Sequence, residues 1–284
     1  MDVNYHYLLD LAAEMNARDP AARFLDYGCG KGEIVEAARK QGLQAYGTDI
    51  FYEANPDTMA MLRDKGLLGE SIRAIRDARI PFGDGEFDVV ASNMVFEHVE
   101  DMAAVLREID RVLKPGGLLV ALFPTREVWR EAHTGIPFAH WWKKGSGFRD
   151  NYTLALRAVG FGTFKSRPLR KWVADMLGYL DAYVYYRPQK KIEEFVTPHF
   201  AFAWMERHHV AYRLRRAGLG WLAGAVNLPV IGWLARAAFT RAGFVVLFAR
   251  KPGGANAPIG PAWLPRSFHL GRRDGQSGAA APAA

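Results

Sequence analysis

Residues 23–33, RFLDYGCGKGE, place a short apolar strand, three glycines at alternate positions and a helix start in direct succession. Glycine reaches backbone angles closed to other residues, so Gly28, Gly30 and Gly32 let the chain pass from strand to helix within a few residues. A strand left in this way rejoins its sheet through a crossover, as a parallel neighbour, which excludes a hairpin-built all-β fold for this part of the chain.

The next hundred residues keep that rhythm. QAYGTD (44–49), a weak segment near 72–77, FDVVAS (87–92) and LLVALF (118–123) read as further strands. The last two are nearly continuous apolar runs, the pattern of strands covered on both faces. Helical spacing is expected over 5–15, 33–41, 57–66 and 102–113. In the last of these, Met102, Val105, Leu106, Ile109, Val112 and Leu113 share a face, and Lys114-Pro115-Gly116-Gly117 ends it. Strand and helix alternating in this way predict an α/β fold with a doubly wound parallel sheet. Beyond Pro124 the pattern breaks. Residues 124–150 read as a loop, 151–159 as a helix capped by Gly160, FGTFKS (161–166) as a sixth strand, 168–242 as largely helical, and FVVLFA (244–249) as a final strand. Residues 253–284 hold Gly, Pro and Ala with few periodic apolar positions and are expected to be a disordered tail.

The glycine turn also constrains the ligand. A dinucleotide fingerprint wants a small residue three places after its second glycine; here that place is Glu33, and the third glycine comes one position early. An acid at the helix start opposes a pyrophosphate, so the loop suits a ligand without phosphates.

The D-x-G-x-G-x-G spacing, with Asp49 nineteen residues after Gly30, resembles the class I S-adenosylmethionine-dependent methyltransferases. So do IPFGDGEFDVV (80–90), SNMVFEHVED (92–101) and LKPGG (113–117), in the same order. The resemblance spans about residues 20–125. It implies a Rossmann-like sheet of seven strands, mostly parallel with the last antiparallel, built from 1–166 and 243–252. A helical insertion, 167–242, would lie between strands six and seven. S-adenosyl-L-methionine is the implied cofactor. Gly28, Gly30 and Gly32 would let the backbone approach its methionyl and ribose parts. Cys29 sits in the same loop, at a place where the family often has a small residue. Asp26 would organise the turn and meet the methionyl ammonium, Asp49 would accept the ribose hydroxyls, and Ile50 would pack on the adenine. Asp77 and Ala78 match the family's adenine-side acid and its neighbour, and Asn93 would line the transfer pocket. Asp26 and Asp49 could also serve only as turn caps. A catalytic role for Cys29 is not expected.

For a hydroxyl acceptor such an enzyme also needs a base. His98, at the start of the helix after strand four, is one candidate, as a base or as a capping residue. His133 and His140, in the loop after strand five, are the others, with backbone hydrogen bonding as their alternative role. Seven residues apart and without an attached acid pattern, the latter two are not expected to hold a metal.

Charge divides the chain. Residues 1–125 carry 13 Lys+Arg against 21 Asp+Glu, and the remainder 24 against 9. An acidic half for the cofactor and a basic half for an anionic partner is one interpretation; solvated arginine-rich helices are the other. Nucleic acid ranks behind a small-molecule or glycan- or lipid-linked hydroxyl, because SNMV (92–95) stands where base-amino methyltransferases carry Asn/Asp-Pro-Pro-aromatic. An RNA methyltransferase and a catalytically silent member of the fold are the rival readings. Residues 217–235 contain no charged side chain but four glycines, Asn227 and Pro229, which favours two short helices over a bilayer span and leaves contact with a membrane face open. A single cysteine excludes a disulfide framework, and the acidic opening MDVNYHYLLDLAAEM has no basic region ahead of an apolar run. The expected location is cytoplasmic, peripheral to a membrane if 217–235 makes that contact.

Overall fold

The structure is a computed structural model that describes residues 2–51, 56–164 and 166–253. Strand β1 (Arg23–Tyr27) is paired in parallel on both edges, with β2 (Gln44–Asp49) and β4 (Phe87–Asn93), which is why Phe24 through Tyr27 are all buried. With β3 (Ile72–Ala74), β5 (Leu113–Phe123), β6 (Ala201–Trp204) and β7 (Val245–Arg250), the described residues form one sheet in the order β3-β2-β1-β4-β5-β7-β6. β7 runs antiparallel to both of its neighbours. The expected α/β sheet, mostly parallel with its last strand antiparallel, is therefore present.

The helices, in chain order, are α1 (Val3–Arg18), α2 (Glu33–Lys40), α3 (Pro56–Asp64), α4 (Met102–Val112), α5 (Gly147–Ala158), α6 (Leu169–Tyr183), α7 (Gln189–Val196), α8 (Glu206–Arg216) and α9 (Pro229–Ala242). Alternation along each strand sends side chains to two cores. Phe24, Val89, Val120 and Phe248 pack with Leu8 of α1 and Val35 of α2. Leu25, Val90, Leu119 and Leu247 pack with Leu106 of α4 and Val196 of α7. Each such large apolar side chain contributes about 1.5–3 kcal/mol on burial. α4 begins where Asp101 accepts a hydrogen bond from the Ala104 N–H, and its buried stripe is Met102, Leu106, Ile109 and Val112. Strand order reverses between β1 and β4, which opens a crevice beyond their carboxyl ends.

The sixth strand differs from expectation. The described residues of this segment, 161–164 and 166, form no strand: Gly160 and Gly162 take φ of +97° and +94°, and a side chain occupies two of the segment's carbonyls. Arg157 donates to the carbonyls of Phe161 and Phe164, and Gly162 lies against Trp172 so closely that a Cβ would come within 2.9 Å of the ring. Trp172 centres a third core with Ile136, Met176 and Leu180. The sheet takes its sixth strand from Ala201–Trp204 instead, which divides 167–242. Helices α5 to α7 precede β6, and α8 and α9 lie between β6 and β7. α5 also begins earlier than residue 151, because Ser146 caps it through the Arg149 N–H. The expected tail lies, from residue 254 on, outside the described residues.

Candidate functional site

The β1–α2 turn shows which glycines are needed for packing and which for access. Gly28, Gly30 and Gly32 have φ of +79°, +48° and +71°. A Cβ on Gly28 would fall 2.3 Å from Val95, and one on Gly32 would fall 2.5 Å from Ile72, whereas one on Gly30 would meet nothing within 4 Å. Gly28 and Gly32 are closed by the protein, and Gly30 faces open space. The N–H groups of Gly28 and Cys29 both donate to the Thr48 carbonyl, tying the turn to the end of β2.

Asp49 braces both lips of the crevice. Its Oδ2 accepts the Gly30 N–H at 2.8 Å, and its Oδ1 accepts the Phe51 N–H at 3.1 Å. Asp26 lies beneath the turn, 2% exposed. Burial, and then the Asp49 charge, pushes its carboxyl up to about 7. Cys29 is buried, and burial followed by the Asp26 and Asp49 charges pushes its thiol well up. That environment leaves no thiolate for nucleophilic chemistry.

A cavity of about 700 Å³ opens at these strand ends, a size usual for small-molecule sites. Gly28, Asp49 and Ile50 form one wall, Met94, Val95, His98 and Val99 another, and Tyr179 and Tyr183 of α6 reach it from the side. Its acidic lining residues are Asp49, Glu100, Asp101 and Glu108, and no lysine or arginine lines it among the described residues. Ile50 is 49% exposed. Ala78 lines the cavity, while Asp77 is turned to the surface; both have positive φ in the turn that the Arg76–Arg79 bridge closes. Asn93, at the end of β4, is engaged from the other side, its Oδ1 accepting from the Asn4 side chain of α1 at 3.1 Å.

Two of the three histidines meet. His98 belongs to a 3-10 turn, Phe96–His98, and its Nδ1 lies 2.8 Å from the Tyr183 carbonyl. Its Nε2 lies 3.3 Å from Nε2 of His133. His133 Nδ1 in turn lies 2.7 Å from Glu131 Oε1. Glu131 is fully buried and also accepts from the Tyr186 hydroxyl and the Thr134 N–H. Burial would raise its carboxyl, but the hydrogen bonds from His133 and Tyr186 outweigh it and hold the group at about 2. Burial alone would depress His133; the Glu131 carboxylate raises it instead. His98 is depressed, chiefly by burial. His140 stands apart: its Nε2 contacts the Arg126 carbonyl, its ring packs on Tyr186, and it does not line the cavity. The sequence assigns no catalytic or cofactor-binding role to Glu131, Tyr179, Tyr183 or Tyr186. The only local trace of the first is its position two residues before His133.

Comparison with known proteins follows the same part of the chain. A family described as a methyltransferase domain matches residues 25–121. A ubiquinone biosynthesis O-methyltransferase of Methylococcus capsulatus is 36% identical over 93 residues, 33% of this chain and 39% of that protein. A norajmaline N-methyltransferase of Rauvolfia serpentina is 33% identical over 37% of each chain. A malonyl-[acyl-carrier protein] O-methyltransferase of Enterobacter lignolyticus is 30% identical over 42% of this chain and 49% of that one. The chain thus spans from over a third to about half the length of these relatives. Glu131, His133 and α5 to α9 lie outside the matched family region.

Proposed function

Since residues 25–121 match a family described as a methyltransferase domain, we propose that the chain is a class I S-adenosylmethionine-dependent methyltransferase and that it methylates a hydroxyl of a small, largely apolar acceptor. The residues of the crevice fit S-adenosyl-L-methionine. Gly30 leaves open the space a Cβ would fill, Asp49 offers a carboxylate at the lip, and among the described residues no lysine or arginine lines the cavity to balance a diphosphate. Asp49 would receive the ribose hydroxyls, Ile50 would cover the adenine, and the backbone at Gly28 and Gly30 would close on the chain between them. Asp26, buried below, would be drawn into its charged form by the methionyl ammonium. Bound there, the cofactor supplies an electrophilic sulfonium methyl group, and the protein's task is alignment and proton handling.

The observation that carries the O-methylation reading is His98 at the cavity wall, with His133 and the buried Glu131 carboxylate in line behind it. A carbonyl can only accept, so His98 Nδ1 carries a proton for Tyr183; the Glu131 carboxylate can only accept, so His133 Nδ1 carries one as well. The two Nε2 atoms are left facing each other, with room for one proton between them. With that proton the pair is an imidazolium, held by Glu131. Without it, the pair can take the proton of an acceptor hydroxyl at His98 and share the charge with His133. The four acids around the cavity disfavour a phosphodiester chain there, which supports a small acceptor over RNA.

The test is to incubate the protein with methyl-labelled S-adenosyl-L-methionine and matched phenols, alcohols and amines, with calorimetric titration of S-adenosylhomocysteine and NAD alongside. Label transferred to oxygen, with binding of the adenosyl ligand and not NAD, is the expected result. Transfer to amines alone would remove the base role, and tight binding without any transfer would favour the silent reading.

A further inference from the structure

The face formed by residues 217–243 concentrates exposed large apolar side chains. After α8 the chain makes two 3-10 turns, Gly220–Leu222 and Ala225–Asn227, and then enters α9 at Pro229. The inner side of this segment is well packed: Ala223 and Val226 are buried against Ala211 of α8, and Gly232 has no room for a Cβ, which would fall 2.3 Å from the Val226 carbonyl. The outer side is apolar and bare. Trp221 is 78% exposed, Val230 69% and Trp233 62%, with Leu219, Leu228 and Leu234 exposed beside them. A contiguous apolar surface of this kind marks an interaction site.

Charge identifies what it meets. From 206 to 243 the chain contains Arg207, Arg213, Arg215, Arg216, Arg236 and Arg241 and a single acid, Glu206. That acid is fully buried and lies 3.4 Å from Arg236, so it offsets nothing at the surface. Arg213, Arg215 and Arg216 are exposed in the last turn of α8, and Arg213 and Arg216 line a shallow groove with Val210, Leu214 and Phe239. Tryptophans beside aliphatic side chains, bordered by arginines, suit the boundary between acyl chains and anionic headgroups.

The geometry of this segment is a sharply bent pair. Among the described residues no single helix is long and apolar enough to span a bilayer, and Gly220–Asn227 meets Pro229–Ala242 at 104°. A pair bent this sharply, with one side packed on α8, is shaped to lie along an interface.

We propose that the two 3-10 turns and α9 seat this protein on an anionic lipid surface. Trp221, Val230 and Trp233 would enter the acyl boundary, and Arg213 and Arg216 would face the headgroup phosphates. The proposal does not depend on the acceptor or on methyl transfer.

Flotation of the full chain with phosphatidylglycerol–phosphatidylcholine vesicles, and with phosphatidylcholine alone, tests it. Binding is expected to the anionic vesicles, with a blue shift of tryptophan emission, and to fall as salt is raised. Trp221→Ser with Trp233→Ser should weaken partition by about tenfold or more, and Arg213→Glu with Arg216→Glu should abolish the preference for the anionic lipid. Both variants alter exposed positions, and an unchanged thermal midpoint confirms that they are folded. Failure of the wild-type protein to float, or equal flotation of the tryptophan variant, overturns the proposal. So does a concentration-dependent dimer in sedimentation velocity that the tryptophan substitutions abolish, which would give this face to a second copy of the chain.

Discussion

His98 and His133 approach through their Nε2 atoms to 3.3 Å, while the Nδ1 atom of each ring is committed to an oxygen that can only accept. Two imidazoles in this arrangement titrate as one unit, and the pKa they show belongs to the pair. Glu131 raises His133, so the shared proton persists above the ordinary histidine range. In the proposed function the base is the deprotonated pair. Transfer to a hydroxyl should therefore rise with pH through a value above 6.5 and then level. Glu131→Gln removes what raises His133 and should move this limb to lower pH, while leaving S-adenosylhomocysteine affinity intact. A pH–rate profile of kcat/KM for both proteins checks this, and an unmoved limb would separate Glu131 from the base.

Removing the base should cost rate and not cofactor. His133→Ala and His98→Ala are each expected to slow transfer by roughly 10²–10⁴-fold, and the double variant by little more than the slower single one, since the two residues act together. His140→Ala, which alters no cavity wall, should leave turnover near the wild-type level. Single-turnover rates on one accepted substrate make the comparison, and multiplicative losses would show that the histidines act separately.

Asp49 braces Gly30 and Phe51, and in the proposed function its remaining lone pairs receive the ribose diol. Asp49→Asn keeps the shape but loses the charge, and Asp49→Ala loses both. The expected order of S-adenosylhomocysteine affinity is wild type, then Asn, then Ala, with at least about tenfold between the ends for charge-assisted bonds of this kind. An unchanged dissociation constant in the alanine variant would refute the ribose role.

The glycines can be told apart by substitution. Gly30→Ala should cost about 1–2 kcal/mol for its left-handed backbone and leave a folded protein with weakened cofactor binding. Gly28→Ala adds the clash with Val95, so its stability loss should be clearly larger and should be partly recovered by Val95→Ala. Denaturant melts of the wild type, Gly28→Ala, Val95→Ala and their double variant provide the cycle, with Gly30→Ala measured alongside; equal losses for Gly28→Ala and Gly30→Ala would contradict the packing described.

Asp26 makes a prediction of opposite sign to most buried acids in ion pairs. Its native carboxyl titrates at about 7, whereas in an unfolded chain it would titrate near about 3.9. As pH rises from the lower value, the unfolded state loses its proton first, so the native state is progressively disfavoured up to about 7, after which the penalty is constant. Asp26→Asn should thus match the wild type near pH 4 and be more stable at pH 8, by something on the order of a few kcal/mol, while binding the cofactor less well. Urea melts at pH 4, 6 and 8 measure the difference, and one that does not change with pH would remove this account of the buried carboxyl.

How much of this could be read from the sequence depended on whether the signal was local. The β1–α2 turn, Asp49 at the end of β2 and the α4 stripe are each written in adjacent residues, and the structure has them in place. β6 was missed because AFAW is four residues long and half exposed; a glycine-rich segment forty residues earlier imitates a strand better, but its carbonyls are taken by Arg157. The meeting of His98 with His133 depends on where the loop after β5 folds back, which no periodicity encodes. His140 has the same composition around it and turns the other way, toward Arg126 and Tyr186. The burial of Glu131, which decides the charge of the pair, is a tertiary fact throughout.

The place of β7 between β5 and β6 has a consequence for how the chain is made. β6 leaves the ribosome about forty residues ahead of β7, its neighbour in the sheet, and β5 waits longer still with one edge open. Until Val245–Arg250 emerges, the nascent protein exposes two unpaired strand edges, and a product cut short before Val245 would keep them. Loss of about the last forty residues should therefore yield aggregates and not a smaller folded protein.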